Sequence, residues 1–396
     1  MVYDAARFDA LSDTAWDDER VRVAVGEVVA DADTTFDESL LWPAHEWDAW
    51  QTPTPLKSLY VGAAGVVWAL DALGRRGVAE SALDLSQAAG LTLRAWRAEP
   101  DLMRGVELPE PARAALLTGQ TGILAVAYRL DPTRELEDAL YERVRENADN
   151  TATGVMWGAA GSLLVARALH EWTGAERWSA AWADGATRLL AARNGEGLWE
   201  QRLYGDTFRG LGAMYGLVGN VLALLDGPGP SEQWLEARTA EVLRDTAVVD
   251  DDLVNWPAAA GAALRGRDGE VRLQWCCGAP GVVATAAAYL DEDLLLAGAE
   301  TVWRAGPHGA EKGAGLCHGT AGNGYALLKA FERTQDELWL DRARRFAVHA
   351  IEQAAAARRE RGRGRYSLWT GDLGVAIFAA DCLLARTRYP VLETWD

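Results

Sequence analysis

Lysine is nearly absent from this chain. It occurs only as Lys57, Lys312 and Lys329, and arginine supplies the remainder of the 39 basic side chains. Against them stand 58 carboxylates, giving a formal net charge of −19. That deficit of positive charge excludes a surface built to neutralise nucleic-acid phosphates, and it disfavours an anionic membrane surface. Arginine with many carboxylates suits a high-GC genome or a salty cytoplasm and bears on solubility rather than chemistry. Cysteine is scarce too: four in 396 residues cannot form a disulfide framework. No apolar run reaches the ~18 residues that a membrane span needs. The opening MVYDAARFDALSDTAWDDER is acidic and lacks the basic start and apolar middle of a signal peptide. The expectation is a cytoplasmic protein with no nucleic-acid partner and no membrane span.

What the chain does have is a repeat. Hydrophobic content is 49% and charged content 24%, ordinary for a globular protein, and the length would allow two or three domains. Yet one pattern runs through all of it: a short lead, Gly-x-x-Gly, then an apolar run. The copies are SLYVGAAGVVWALDAL (Gly62, Gly65), ALLTGQTGILAVAYRL (Gly119, Gly122), GVMWGAAGSLLVARAL (Gly158, Gly161) and GAMYGLVGNVLALL (Gly216, Gly219). QWCCGAPGVVATAAAYL (Gly278, Gly281), GLCHGTAGNGYALLKAF (Gly319, Gly322) and SLWTGDLGVAIFAADCL (Gly371, Gly374) complete the seven. They lie about 40 to 60 residues apart, which is no standard solenoid period.

Each glycine pair permits a tight turn and close backbone approach. The run that follows is small and apolar nearly all round, as in a helix buried on every side. Between copies lie charged, amphipathic segments such as RELEDALYERVREN and DELWLDRARRFAVHAIEQAAAARRER, which read as outer helices with one wet face. Seven inner helices that need neighbours on all sides are satisfied by closing into a ring. The expected fold is all-α, a single α/α-toroid of about fourteen helices over residues 1–396. Residues 1–40 would be an N-terminal extension or the first outer helix. No strand-rich segment and no low-complexity linker stands out.

Three of the four cysteines fall in two neighbouring copies, as Trp275-Cys276-Cys277-Gly278 and Cys317-His318-Gly319. Cys382, alone in FAADCLLAR, reads as a buried helix cysteine. In a reducing compartment close Cys and His residues serve as metal ligands or catalytic groups. These motifs, W-C-x-G-A-P-G and C-H-G-T-A-G-N in successive copies of a sevenfold repeat, resemble the lanthionine synthetase C-like family from about residue 40 to 385. That family is an α/α-toroid. The resemblance places its zinc ligands on Cys276, Cys317 and His318. Two thiolates and an imidazole make a soft zinc site, and three protein ligands leave a fourth position open, the mark of a catalytic rather than a structural zinc. The alternative, unrelated buried cysteines before turns, would make three soft ligands at equivalent repeat positions a coincidence. In the family's cyclases the zinc binds a cysteine thiol and lowers its pKa, and the thiolate adds to dehydroalanine or dehydrobutyrine to give a thioether. Other members add glutathione to similar electrophiles.

The rest of the family's site is only partly present. Its histidine before the fourth Gly-x-x-Gly is Tyr215 here. A tyrosine of ordinary pKa near 10 donates a proton but is a poor base, and a packed aromatic lining the ring is the alternative. The family acid four residues before the third Gly-x-x-Gly is Gly154, with Asp149 the closest upstream carboxylate, so any base must come from elsewhere. Arg272, four residues before Cys276, stands where cyclases carry an arginine and could hold an enolate oxygen or a substrate carboxylate, or serve only as a surface ion-pair residue. Cys277 reads as filler or a support for the ligands; if it bound zinc instead of Cys276 the ligand register would shift by one. His45, His170 and His349 look ordinary. His308, in a glycine-rich loop before the sixth copy, could reach over the zinc as a substitute acid or base.

The expected function is therefore zinc-dependent activation of a thiol for conjugate addition to a dehydroamino acid. Its partners would be a dehydrated peptide or a small thiol such as glutathione, with a separate dehydratase. A catalytically degenerate zinc toroid that binds a peptide or partner protein is the alternative, since replaced acid–base residues are what a pseudoenzyme shows. A carbohydrate-active toroid would need a carboxylate pair in its cavity, and the inner leads offer only Asp372.

Overall fold

The computed structural model describes residues 1–225, 227–229 and 233–396. In chain order the helices are α1 (Asp18–Thr35), α2 (Glu46–Ala49), α3 (Ala63–Arg75), α4 (Leu85–Ala98), α5 (Gln120–Leu130), α6 (Arg134–Glu146), α7 (Ala159–Thr173) and α8 (Glu176–Ala191). They continue as α9 (Leu217–Leu224), α10 (Gln233–Thr246), α11 (Ala279–Ala286), α12 (Glu292–Ala305), α13 (Thr320–Thr334), α14 (Glu337–Arg361) and α15 (Asp372–Leu384). Each Gly-x-x-Gly opens one inner helix: α3, α5, α7, α9, α11, α13 and α15.

Neighbouring inner helices pack from α7 through α9, α11 and α13 to α15; α15 closes on α3, and α3 on α5. Between α5 and α7 the lead residue Leu116 fills the joint, lying against Gly161. Seven amphipathic helices form the outer layer: α4 on α5, α6 on α7, α8 on α7, α10 on α9, α12 on α13, α14 on α15 and α1 on α15. The result is the α/α-toroid that the apolar periodicity predicts. The short α2 is additional to the fourteen ring helices.

The glycines have a shared physical cause. The outer helices α1, α4, α6 and α14 are capped by the side chains of Asp17, Asp84, Thr133 and Asp336, which accept first-turn N–H groups. The inner helices have glycine at the cap and no capping side chain. Their orphan N–H groups bond instead to lead carbonyls seven residues back: Ala63 to Leu56, Ala160 to Thr153, Leu217 to Gly210, Thr320 to Gly313 and Asp372 to Arg365. The lead therefore crosses directly over the first helical turn. A Cβ on either glycine of any copy would come closer than 3.0 Å to backbone atoms of that lead. At Gly278 the backbone adds a second reason, a φ of +110° that side chains disfavour.

The leads also bond to one another. The residues two before each first glycine are linked as Tyr60 N–H to Leu117 O (2.9 Å), Met156 to Met214 (3.4 Å), Cys276 to Cys317 (3.2 Å), Cys317 to Trp369 (2.8 Å) and Trp369 to Tyr60 (3.2 Å). These bonds join the fifth, sixth, seventh, first and second leads in one run and the third and fourth in another, and the leads together form the floor of the ring. Beneath it Trp275 stacks on Tyr389 at 4.3 Å and meets Trp369 at 5.3 Å. Below the ring the final segment is anchored by Tyr389 Oη, which donates to Leu316 O, and by Arg167, which donates to Leu392 O.

Two short hairpins are the only strands among the described residues, in keeping with a chain that has no strand-rich segment. β1 (Gln201–Leu203) pairs with β2 (Asp206–Phe208), and β3 (Val248–Asp250) with β4 (Leu253–Asn255). Three-residue strands carry too little alternation to register as a pattern. The turn of the first is nonetheless encoded: Tyr204 (φ 55°) and Gly205 (φ 82°) supply two consecutive left-handed residues, as a tight two-residue hairpin needs. Among the described residues no helix is long and apolar enough to cross a membrane.

Candidate metal centre

The bonds between leads decide which side chains of neighbouring copies meet. The fifth lead supplies Cys276 and the sixth supplies Cys317 and His318. Because Cys276 N–H bonds to Cys317 O, the two thiols are held side by side. One ligand atom from each of Cys276, Cys317 and His318 lies within 4.8 Å of the others, and Cys317 Sγ is 3.6 Å from His318 Nε2. Both cysteines are buried and the imidazole is half-buried. With metal–sulfur bonds of about 2.3 Å and metal–nitrogen bonds of about 2.0 Å, one zinc ion fits between such donors with little movement.

The donors are supported. Gln274 Nε2 donates to Cys276 Sγ at 3.0 Å. The hydrogen bond with Cys317, the field of His318 and the Gln274 amide hold the Cys276 thiol well below its ordinary range despite burial. Burial, followed by the hydrogen bond with Cys276, pushes Cys317 up, so Cys276 loses its proton first. Such tuned thiols are the forms a soft metal binds. Cys277 is outside the cluster, and burial pushes its thiol up to about 12. The clustered donor of the fifth lead is Cys276, with Cys277 outside the group.

Above the floor opens a cavity of about 380 Å³ lined by His318, Tyr60, Tyr215, Tyr204, Met156 and Asp101, among others. Tyr215, the residue before the fourth Gly-x-x-Gly, is on this wall. Burial, then Tyr204 and the thiols, raises its hydroxyl well above 10, so it remains a proton donor in the neutral range. Tyr204, at the tip of the β1–β2 hairpin, accepts from Trp157 Nε1 at 2.8 Å and meets the Tyr215 ring edge-on at 6.4 Å. Tyr60 was not singled out in the sequence. It occupies the same lead position as the cysteines, and its hydroxyl reaches Cys317. Equivalence within the repeat was the signal that could have found it.

Arg272 is engaged elsewhere: its guanidinium pairs with Asp268 and Glu270, and it is not among the residues lining the cavity. Gly154 abuts the fourth lead, where a Cβ would come 2.8 Å from Met214 O. Gln201, fully buried, fills that corner by bonding Thr153 through both ends of its amide. His308 does not reach over the cluster. It is buried, Nε2 is 2.9 Å from Leu273 O, and the ring stacks on Phe8 at 4.7 Å. Burial lowers its pKa to about 3, so it pins the N-terminal segment as a neutral ring. His45 caps α2, His170 Nδ1 lies 3.4 Å from Ala175 O, and His349 accepts from Ser12 N–H. Cys382 is fully buried in α15. His318 also borders a second opening of about 210 Å³ that holds Lys312, Glu311, Arg365 and Trp47.

A family model described as Lanthionine synthetase C-like protein matches residues 43–393. Over 150 residues the chain is 34% identical to Glutathione S-transferase LANCL1 of Danio rerio. That match covers 35% of this chain and 36% of the relative, so it spans about a third of the relative's length. Among solved structures, nisin cyclase aligns with a TM-score of 0.56 over 92% of this chain and 94% of its own, at 12% identity, a likeness of fold. With its matched region running through all seven leads, this chain belongs to the lanthionine synthetase C-like family.

Proposed function

We propose that this protein is a zinc-dependent enzyme that joins a thiol to the β-carbon of a dehydroamino acid, forming a thioether. The observation that carries the reading is the Cys276–Cys317–His318 cluster at the foot of a cavity large enough for a side chain or small peptide. When bound there, zinc would supply Lewis acidity that favours the thiolate form of an incoming thiol. The chain's own residues would do the rest. Tyr215 and Tyr204 hold hydroxyl protons on the cavity wall, available to an enolate oxygen or carbon. The aromatic floor of Trp275, Trp369 and Tyr389 excludes water from below. Arg272 would have to leave Asp268 and Glu270 to contact substrate.

The thiol is read as a peptide cysteine or a small thiol such as glutathione, and the electrophile as a peptide dehydrated by a separate enzyme. We read residues 1–396 as one cytoplasmic domain whose first 40 residues bring in the first outer helix. A catalytically silent toroid that holds zinc and binds a peptide is the second reading, and the Gln201-filled corner at Gly154 favours it. The two separate in one assay. Protein holding one zinc per chain is given glutathione and an N-acyl dehydroalanine amide, and adduct above the uncatalysed background is followed by mass spectrometry. Catalysed adduct that vanishes in Cys317→Ala supports the enzyme. Full zinc occupancy without acceleration would leave the silent toroid.

A further inference from the structure

The cavity contains an acid that the repeat does not announce. Asp101 follows α4, outside every Gly-x-x-Gly lead, yet it lines the same cavity as Tyr60, Tyr215 and His318. It is 5% exposed. One oxygen, Oδ2, accepts the backbone N–H of Lys57 at 2.7 Å and that of Ser58 at 3.4 Å. The other, Oδ1, is buried with no hydrogen-bond partner. The Lys57 ammonium acts on it only through its field, being turned to the carbonyl of Glu99 at 2.9 Å. The cavity's other carboxylate, Asp48, is held by the Arg365 guanidinium. An unpartnered buried carboxylate oxygen is costly, and such groups persist mainly where they have work to do.

We infer that Asp101 is the acid–base residue of this cavity, taking up the proton that the thiol releases and returning a proton to the α-carbon of the adduct. The assignment rests on the thioether-forming reading. Its bookkeeping closes without any oxidant or reductant. The S–H bond breaks, the S–Cβ bond forms, the π pair becomes the enolate, and a proton arrives at Cα. Tyr215 can give a proton but cannot take one near neutrality, so a group that cycles is needed. Burial, opposed by the Lys57 N–H and its charge, sets Asp101 at about 6, where both forms are populated at working pH. The charged and titratable groups around it are Lys57 and Glu99 beside it and Asp48, Arg365, Tyr60, Tyr204, Tyr215 and His318 around the cavity. The family's usual acid position, Gly154, is occupied by Gln201, so the chain supplies its carboxylate from a different repeat.

The test is Asp101→Asn, which keeps an acceptor for Lys57 and Ser58 and removes the titration. Three quantities are compared with wild type: zinc content, the rate of glutathione addition to an N-acyl dehydroalanine amide from pH 5 to 9, and urea unfolding from pH 4 to 7. The expected result is unchanged zinc, a rate reduced about 100-fold or more, and loss of the acidic limb near pH 6. A carboxyl raised from about 3.9 to about 6 stabilises the fold when protonated, and that advantage is lost as pH rises through 6. The ratio of variant to wild-type folding constants should therefore climb about 50-fold between pH 4 and pH 7. An active wild type with an equally active variant and the same pH profile overturns the role of Asp101 alone. A flat folding-constant ratio also overturns it, with no substrate needed. A zinc-loaded wild type that does not accelerate addition overturns the thioether reading and this assignment with it. If the Asn variant does not fold, Asp101→Ser, which retains an acceptor, is judged by the same three readouts.

Discussion

Cys276→Ala tests the ligand register directly, because a second thiol stands next door. The structure argues that Cys277 cannot take over. It lies outside the group whose donor atoms fall within 4.8 Å of one another, and burial raises its thiol to about 12. Ionising such a thiol at pH 7 costs five pKa units at 1.36 kcal/mol each, about 7 kcal/mol. A structural zinc site with four ligands gains about 10–16 kcal/mol overall, or about 3 kcal/mol per ligand. The penalty of recruiting Cys277 therefore exceeds what one ligand returns. Cys276→Ala should weaken zinc binding about 100-fold or more, and Cys277→Ala should leave it nearly unchanged. The assay is elemental analysis after dialysis against a graded chelator, with competition against a chromophoric zinc ligand for the constants. A Cys276→Ala protein that keeps one zinc per chain, together with a Cys277→Ala protein that loses it, would refute the register and the burial argument behind it.

Further predictions concern the scaffold. Gly322→Ala drives a Cβ against the Leu316 carbonyl, backbone on backbone, next to Cys317; about 3 kcal/mol of stability should be lost in denaturant unfolding, and zinc affinity with it. Asp381 is fully buried in α15, accepts from Tyr325 Oη at 2.6 Å and pairs with the buried Arg76 at 3.0 Å. Its replacement by Ala strands that guanidinium and should cost about 3–5 kcal/mol; a loss below 1 kcal/mol would show that water or Asp396 compensates. His308 has a folded pKa near 3, below its unfolded value, so it destabilises the fold as pH falls below about 6.5. His308→Gln should therefore lose about 2 kcal/mol less than wild type between pH 7 and pH 5, read from urea midpoints at both values.

Much of the architecture was legible because it depends on local pattern. Seven glycine pairs followed by all-round apolar runs mark seven buried helices, and the charged stretches between them mark the outer layer. Cys276, Cys317 and His318 were legible because they sit at equivalent positions in adjacent copies. Tyr60 sits at such a position as well, but a tyrosine attracts no attention until its hydroxyl is seen to meet Cys317. Asp101 and Tyr204 were not legible. One lies in a loop and the other at a hairpin tip, and each gains meaning only from what packs opposite it. Arg272 and His308 show the converse. Position in the sequence made them candidates, while the pairing of Arg272 with Asp268 and Glu270 and the stacking of His308 on Phe8 are contacts that only the folded chain reveals.

What the sequence by itself determined is the inner and outer helix pattern, and which leads carry soft ligands, since both follow from side-chain periodicity and residue type. The tertiary structure alone decided which side chains share a cavity. That outcome depends on ring closure: α15 must meet α3 before Trp369 N–H can bond to Tyr60 O and link the seventh lead to the first. It depends equally on burial, which has no local signature. The field around Cys276, the raised thiol of Cys277 and the open oxygen of Asp101 are set by groups brought in from other repeats, and contacts between residues distant in sequence carry no periodic trace within it.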